Sequence, residues 1–139
     1  MSDRELLELA AKAADIFLTP EALARAFPKW KWDKSFEPRH EGDLGVSGAV
    51  LIYDYDGKLS GTTREAWNPL ADDGDALRLM VKLRLEPRFI DNSHSNGAEP
   101  SRVTLHNFAG IVENIDGDPL AATRRAIVRA AAEIGRRMS

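Results

Sequence analysis

The chain contains no cysteine. Disulfides, thiolate metal sites and a cysteine nucleophile are therefore excluded, and the composition suits the cytoplasm. It also lacks any apolar run approaching the roughly 20 residues that a membrane-spanning helix needs. Its start, Met1-Ser2-Asp3-Arg4-Glu5, is acidic, without the basic and then apolar stretches of a secretory signal. No Gly-rich phosphate loop, nucleophile elbow or His-Glu-x-x-His pattern is present. Histidine is scarce: His40, His94 and His106 are the only three, and no two are spaced as a local zinc pair. A positive balance is missing as well. Net charge is −3, so no global field draws nucleic acid.

What is present describes a globular chain. Its 139 residues are 43% hydrophobic and 29% charged, enough for one domain with a real core. Charge is unevenly spread. Acids outnumber bases from Met1 to Glu21. From Thr123 onward Arg124, Arg125, Arg129, Arg136 and Arg137 face Glu133 alone. An acidic first helix and a basic last helix can pair within one molecule or between two.

Ser2 and Glu5 form a capping box, and the helix they start is predicted to run to about Leu18. Leu6, Leu9, Ala10, Ala13, Ile16 and Phe17 share its apolar side. Thr19-Pro20 opens a short helix ending near Phe27. Residues 29–48 hold Trp30, Trp32 and Phe36 and read as an irregular loop with aromatic anchors. A hairpin is expected over about 50–63, turned by Asp56-Gly57.

Asp72 or Asp73 caps a central helix over about 73–84, and Asp75 complements its positive end. Ala76, Leu77, Leu79, Met80, Val81 and Leu83 cover most of that helix, which marks it as the centre of the core. Strands follow at about 88–91, 102–108 and 111–115, the last two joined at Ala109-Gly110. Asp118-Pro119 then starts a helix over about 119–137, with Leu120, Ile127, Ala131, Ile134 and Met138 on one side and Arg125, Arg129 and Arg136 opposite. The order predicts a single α+β domain over 1–139, an antiparallel sheet packed with N-terminal, central and C-terminal helices.

Trp67-Asn68-Pro69-Leu70, the following Asp72-Asp73-Gly74-Asp75-Ala76-Leu77-Arg78-Leu79 and Val81-Lys82-Leu83 resemble a small protein family encoded by tailed bacteriophages and prophages. The closing Ala122-Thr123-Arg124-Arg125-Ala126-Ile127-Val128-Arg129-Ala130-Ala131-Ala132-Glu133-Ile134-Gly135 resembles the same family's last helix. The two blocks span roughly a third of the chain. The resemblance implies a phage or prophage origin and a host-cytoplasmic setting. It brings no catalytic residue and no cofactor. Read from the residues alone, the first block is structural. Pro69 holds Asn68 extended, which aims Trp67 consistently toward the central helix.

Possible chemistry is thin. Asp72, Asp73 and Asp75 could hold a hard cation, and Asp54, Asp56 and Glu65 match positions of a calcium loop. Lys58 and Leu59 spoil that loop's centre, and caps and turns explain these acids more simply. His106 is expected on a strand face with Thr104 and Phe108. His94 lies beside Ser93 and near Asp91, but triads are recognised by spatial geometry. The arginines Arg125, Arg129 and Arg136 read as a solvated helix face or as a contact surface. Trp30 and Trp32, with Lys29, Lys31 and Lys34 between and beside them, read as loop anchors or as an aromatic patch for a protein partner.

The expectation is a non-enzymatic phage accessory protein acting through macromolecular contact or self-association, with no cofactor, no metal and no membrane. A weak nucleic-acid-binding module using the final helix is the first alternative. A small hydrolase without a recognisable motif is the second.

Overall fold

The structure of the protein is a computed structural model. It describes residues 1–16, 30–32, 44–45, 50–53, 59–63, 66–91 and 101–138. In chain order its elements are α1 (Asp3–Ala13), β1 (Trp30–Trp32), β2 (Leu44–Gly45), β3 (Val50–Tyr53), β4 (Leu59–Thr63), β5 (Ala66–Trp67), α2 (Asp73–Leu83), β6 (Pro87–Ile90), β7 (Arg102–Leu105), β8 (Phe108–Asn114) and α3 (Pro119–Arg137). This is an α+β architecture. Contacts group the chain into two compact units, Met1–Ala14 with Pro69–Ser139, and Asp15–Asn68.

In the first unit an antiparallel sheet in the order β6-β7-β8 packs against α3, which also packs on α1 and α2. The centre of the core is therefore α3, and the expectation that α2 held that place is corrected. Within α2 only Asp75, Ala76 and Leu79 are buried, while Leu77 and Val81 are 56% and 63% exposed. Total apolarity misled because it counts side chains around a helix and ignores how near a neighbour can come. The slim surface of α3 offers Ala122, Ala126, Ala130, Ala131, Ala132 and Gly135, which admit neighbours on several sides.

Its predicted apolar stripe holds only in part. Ile127 and Ala131 are buried and Ile134 is half-buried, but Leu120 and Met138 are exposed near the two ends. The helix starts as expected, with the Ala121 N–H donated to Asp118 Oδ1 at 3.0 Å and Pro119 in its first turn.

The capping box of α1 forms. Ser2 N–H donates to Glu5 Oε2 at 2.6 Å, and Glu5 N–H donates to Ser2 Oγ at 3.2 Å. The helix stops at Ala13, short of Leu18, because Asp15 turns left-handed at φ 58°. Its buried face is Leu6, Leu7, Ala10, Ala11 and Ala14, rotated from the expected side. Small residues win that face because α3 comes within main-chain contact. A Cβ on Gly135 would collide with the carbonyl of Leu9, whose carbon would lie 2.8 Å away.

Asp72 caps α2 by accepting the Asp75 N–H at 2.8 Å. Arg84, left-handed at φ 54°, ends it before Pro87 opens β6. The predicted strand over 102–108 is shorter and its turn falls earlier. Leu105 pairs with Phe108, so His106-Asn107 makes the turn, with Asn107 at φ 68°. Asparagine tolerates that conformation well. Ala109 and Gly110 instead lie inside β8, where the register shifts between Thr104↔Val112 and Leu105↔Phe108. His106 is accordingly a turn residue and not a strand-face residue.

In the second unit β1-β3-β4 form one antiparallel sheet, and β2 pairs with β5. Residues 29–48 are thus not all loop. Trp30 pairs with Ile52 and Trp32 with Val50, while Leu44 pairs with Trp67. Trp-Lys-Trp is a three-residue alternation rich in strand formers, too short to stand out from its charged surroundings. The hairpin forms. Its pairs Val50↔Thr63, Leu51↔Thr62 and Ile52↔Gly61 have the register a two-residue Asp56-Gly57 turn would set, and it shifts by one at Tyr53↔Leu59. That turn itself, and the helix expected over 19–27, lie outside the described residues. No helix among the described residues is long and apolar enough to cross a membrane.

Candidate functional site

The arginines picked out on α3 lie beside acids of the same chain. Arg125 Nη2 lies 3.0 Å from Asp3 Oδ1 on α1, and its Nε lies 3.8 Å from Glu113. Arg129 Nη1 donates to Glu113 Oε1 at 2.8 Å and to the Val112 carbonyl at 3.1 Å. Arg136 grips Glu133 one turn earlier, through Nε at 3.1 Å and through Nη2. The acidic first helix and the basic last helix meet within one molecule. Lys12 Nζ also donates to the Met138 carbonyl at 3.0 Å.

The acidic motif at the start of α2 divides its duties. Asp72 caps the helix, Asp75 is buried and takes Arg78 Nη2 at 2.7 Å, and Asp73 takes Arg124 Nη1 at 2.6 Å. Arg124 also donates through Nε to the Leu70 carbonyl at 2.8 Å. One guanidinium thus joins the turn after Pro69 to the last helix. Trp67 and Asn68 are buried, and Pro69 is fully so. Among the described residues no group of three acids or histidines is placed to hold a metal ion. His106 lies 3.8 Å from Glu86, its neighbour just past the end of the β6–β7 pairing, whose carbonyl also accepts the His106 N–H at 3.0 Å. Trp30 and Trp32 belong to β1. His40, Ser93, His94, Phe36 and the acids Asp54, Asp56 and Glu65 lie outside the described residues.

A cleft of about 480 Å³ opens between the start of α1, the turn from β7 into β8 and the end of α3. That size is typical of ligand-binding clefts. Leu6, Phe108, Ile111 and Ala132 give it an apolar floor. Arg129, Glu133, Arg136 and Arg137 line its polar side. Among the described residues Glu133 is the only carboxylate in the lining, and both of its oxygens accept hydrogen bonds. Its Oε1 accepts from both Arg136 and Arg137, and its Oε2 from Arg136. Hydrogen bonds from Arg136, and then the charges of both arginines, hold Glu133 below its ordinary carboxylate range. The hydrogen bond with Glu133 in turn raises Arg136.

Four guanidiniums, Arg125, Arg129, Arg136 and Arg137, share three carboxylates, Asp3, Glu113 and Glu133. The surplus cation sits at the end of α3, where Arg136 and Arg137 side chains are 59% and 70% exposed. The spacing Glu133, Arg136, Arg137 was visible in the sequence as an i, i+3 and i+4 set. The cleft was not, because its walls come from residues near 1–6, 107–111 and 129–137. The chain matches no family model, no curated protein and no solved structure.

Proposed function

We propose that this protein works by contact with another macromolecule and transforms no substrate. The observation that carries the reading is the cleft at the end of α3, an apolar floor beside exposed cations with one charge in surplus. Its chemistry suits holding more than reacting. A carboxylate whose pKa is lowered and whose two oxygens accept arginine hydrogen bonds is a poor general base at neutral pH. The resemblance to phage and prophage proteins adds the setting, the cytoplasm of a bacterial host.

A nucleic-acid role for the same helix is weaker. Asp3, Glu113 and Glu133 lie among the arginines and would repel successive phosphates. Affinity capture from host lysate, run beside an Arg136→Glu/Arg137→Glu double variant, tests the reading. Species retained by the wild type and lost from the variant are expected. Light scattering covers the case in which the retained species is a second copy of this chain. A monomer that retains nothing at micromolar concentration defeats the proposal.

A further inference from the structure

A second feature of the cleft narrows what it takes. Because the register of β7 against β8 slips between Thr104↔Val112 and Leu105↔Phe108, Ala109, Gly110 and Ile111 have no register partner on β7, and of the three only Ile111 is buried. All three line the cleft. Ala109 and Gly110 are exposed, and a Cβ built on Gly110 would meet no heavy atom within 4 Å. Main-chain donors and acceptors left outside a ladder bond to water or to another main chain. Beyond them the main-chain groups of Val112 and Asn114 point away from β7, since the adjoining pair just past the strand end is closed by Ile115 N–H to Ser101 carbonyl at 2.8 Å; of these outward groups the Val112 carbonyl is already taken by Arg129 Nη1 at 3.1 Å.

We propose that the cleft accepts an extended acidic peptide segment of a protein partner, lying against the unpaired stretch of β8 with a carboxylate on Arg136 and Arg137. This rests on the reading of the cleft as a contact site. Strand addition supplies affinity through main-chain hydrogen bonds and selectivity through alternate side chains. An apolar side chain of the peptide lies on Leu6, Phe108 and Ala132. The neighbouring carboxylate neutralises the surplus guanidinium, whose planar fork matches it. A polyanion fits less well, because only one of the four arginines lacks a full share of a fixed carboxylate.

The test uses the full chain and a fluorescein-labelled alternating glutamate–valine peptide, read by anisotropy at low salt. Binding is expected, with a shifted Gly110 amide resonance, and the matching lysine–valine peptide should stay free. Arg136→Glu/Arg137→Glu should weaken binding by about tenfold or more. Gly110→Val should do the same by covering the main chain, and its side chain enters open space, so the fold should survive. Circular dichroism of both variants checks that. No binding at millimolar protein overturns the proposal, as does equal binding by either folded variant. Tighter, arginine-dependent binding of oligothymidine also overturns it, as does cleft-dependent dimerisation in place of peptide binding, but these two outcomes leave the broader contact reading standing. Loss of peptide binding together with loss of every lysate-derived species removes both.

Discussion

Two side chains, or the lack of one, join distant parts of the first unit. Gly135 lets α3 touch the main chain of α1, and any Cβ there meets the Leu9 carbonyl. Gly135→Ala should therefore destabilise the protein despite the gain in helix propensity. Forcing atoms into a packed interface costs about 1–3 kcal/mol, which exceeds the roughly 1 kcal/mol of propensity returned. Urea unfolding measures this, and Gly110→Ala, entering open space, is the control expected to move little. Arg124 is the second case. It is 18% exposed and bridges the Leu70 carbonyl and Asp73. Lysine keeps the charge but lacks the planar fork whose Nε and Nη1 reach the two acceptors separately, so Arg124→Lys should cost about 1–3 kcal/mol in the same assay. Neither role was legible beforehand. Arg124 and Gly135 lie in α3 and Asp73 starts α2, but a glycine or an arginine within a helical pattern does not announce its partner. The caps were legible, because Asp72, Ser2 and Asp118 act on main-chain atoms three residues away.

Elements reveal the same division between local and distant causes. The starts of α1, α2 and α3 follow from caps and Pro119, and the end of α2 from Pro87, whereas α1 stops at Ala13, short of the expected Leu18; the pairing of β3 with β4 follows from their alternation. Which face each helix buries does not, since it depends on the neighbour's girth. Leu77 and Val81 lost their place in the core to the alanines of α3. Asp72→Ala should cost about 1 kcal/mol, the usual worth of such a cap. The pH dependence of α1 and α3 follows from their carboxylates. The Ser2 main-chain hydrogen bond lowers Glu5 from its ordinary 4.5, and hydrogen bonding to Arg136 lowers Glu133 likewise. A carboxyl lowered in the folded state stabilises the fold above its unfolded value and loses that contribution as pH falls through the folded one. Thermal unfolding at neutral pH should place Glu5→Gln and Glu133→Gln below wild type. The gap should close as pH falls below 4.5. A gap that persists in full at low pH would mean the charged form plays no part.

At the scale of the molecule, the first unit is discontinuous in sequence, since α1 packs on a helix more than a hundred residues later. Polar contacts at the surface, the Arg125–Asp3 ion pair and the Lys12 bond to the Met138 carbonyl, hold it there beside the buried Leu6, Leu7, Ala10, Ala11 and Ala14. Magnitudes decide between them. An exposed pair is worth about 0–1 kcal/mol, whereas burying a single leucine is worth about 1.5–3 kcal/mol. Docking of α1 is therefore an apolar event, and the charges at its rim select what else may approach. Salt separates the two. At about 1 M the screening length falls to about 3 Å, so exposed pairs fade while apolar burial does not. The unfolding midpoint of the whole chain should stay nearly constant from low to high salt, while binding of an acidic peptide at Arg136 and Arg137 weakens steeply. A chain lacking residues 1–14 should behave differently at every salt concentration. It exposes the alanine face of α3, so broad unfolding and bound hydrophobic dye are expected, and it loses the wall of the cleft that Leu6 provides. Sharp, wild-type-like unfolding of that shortened chain would show that α1 contributes little to the stability of the first unit.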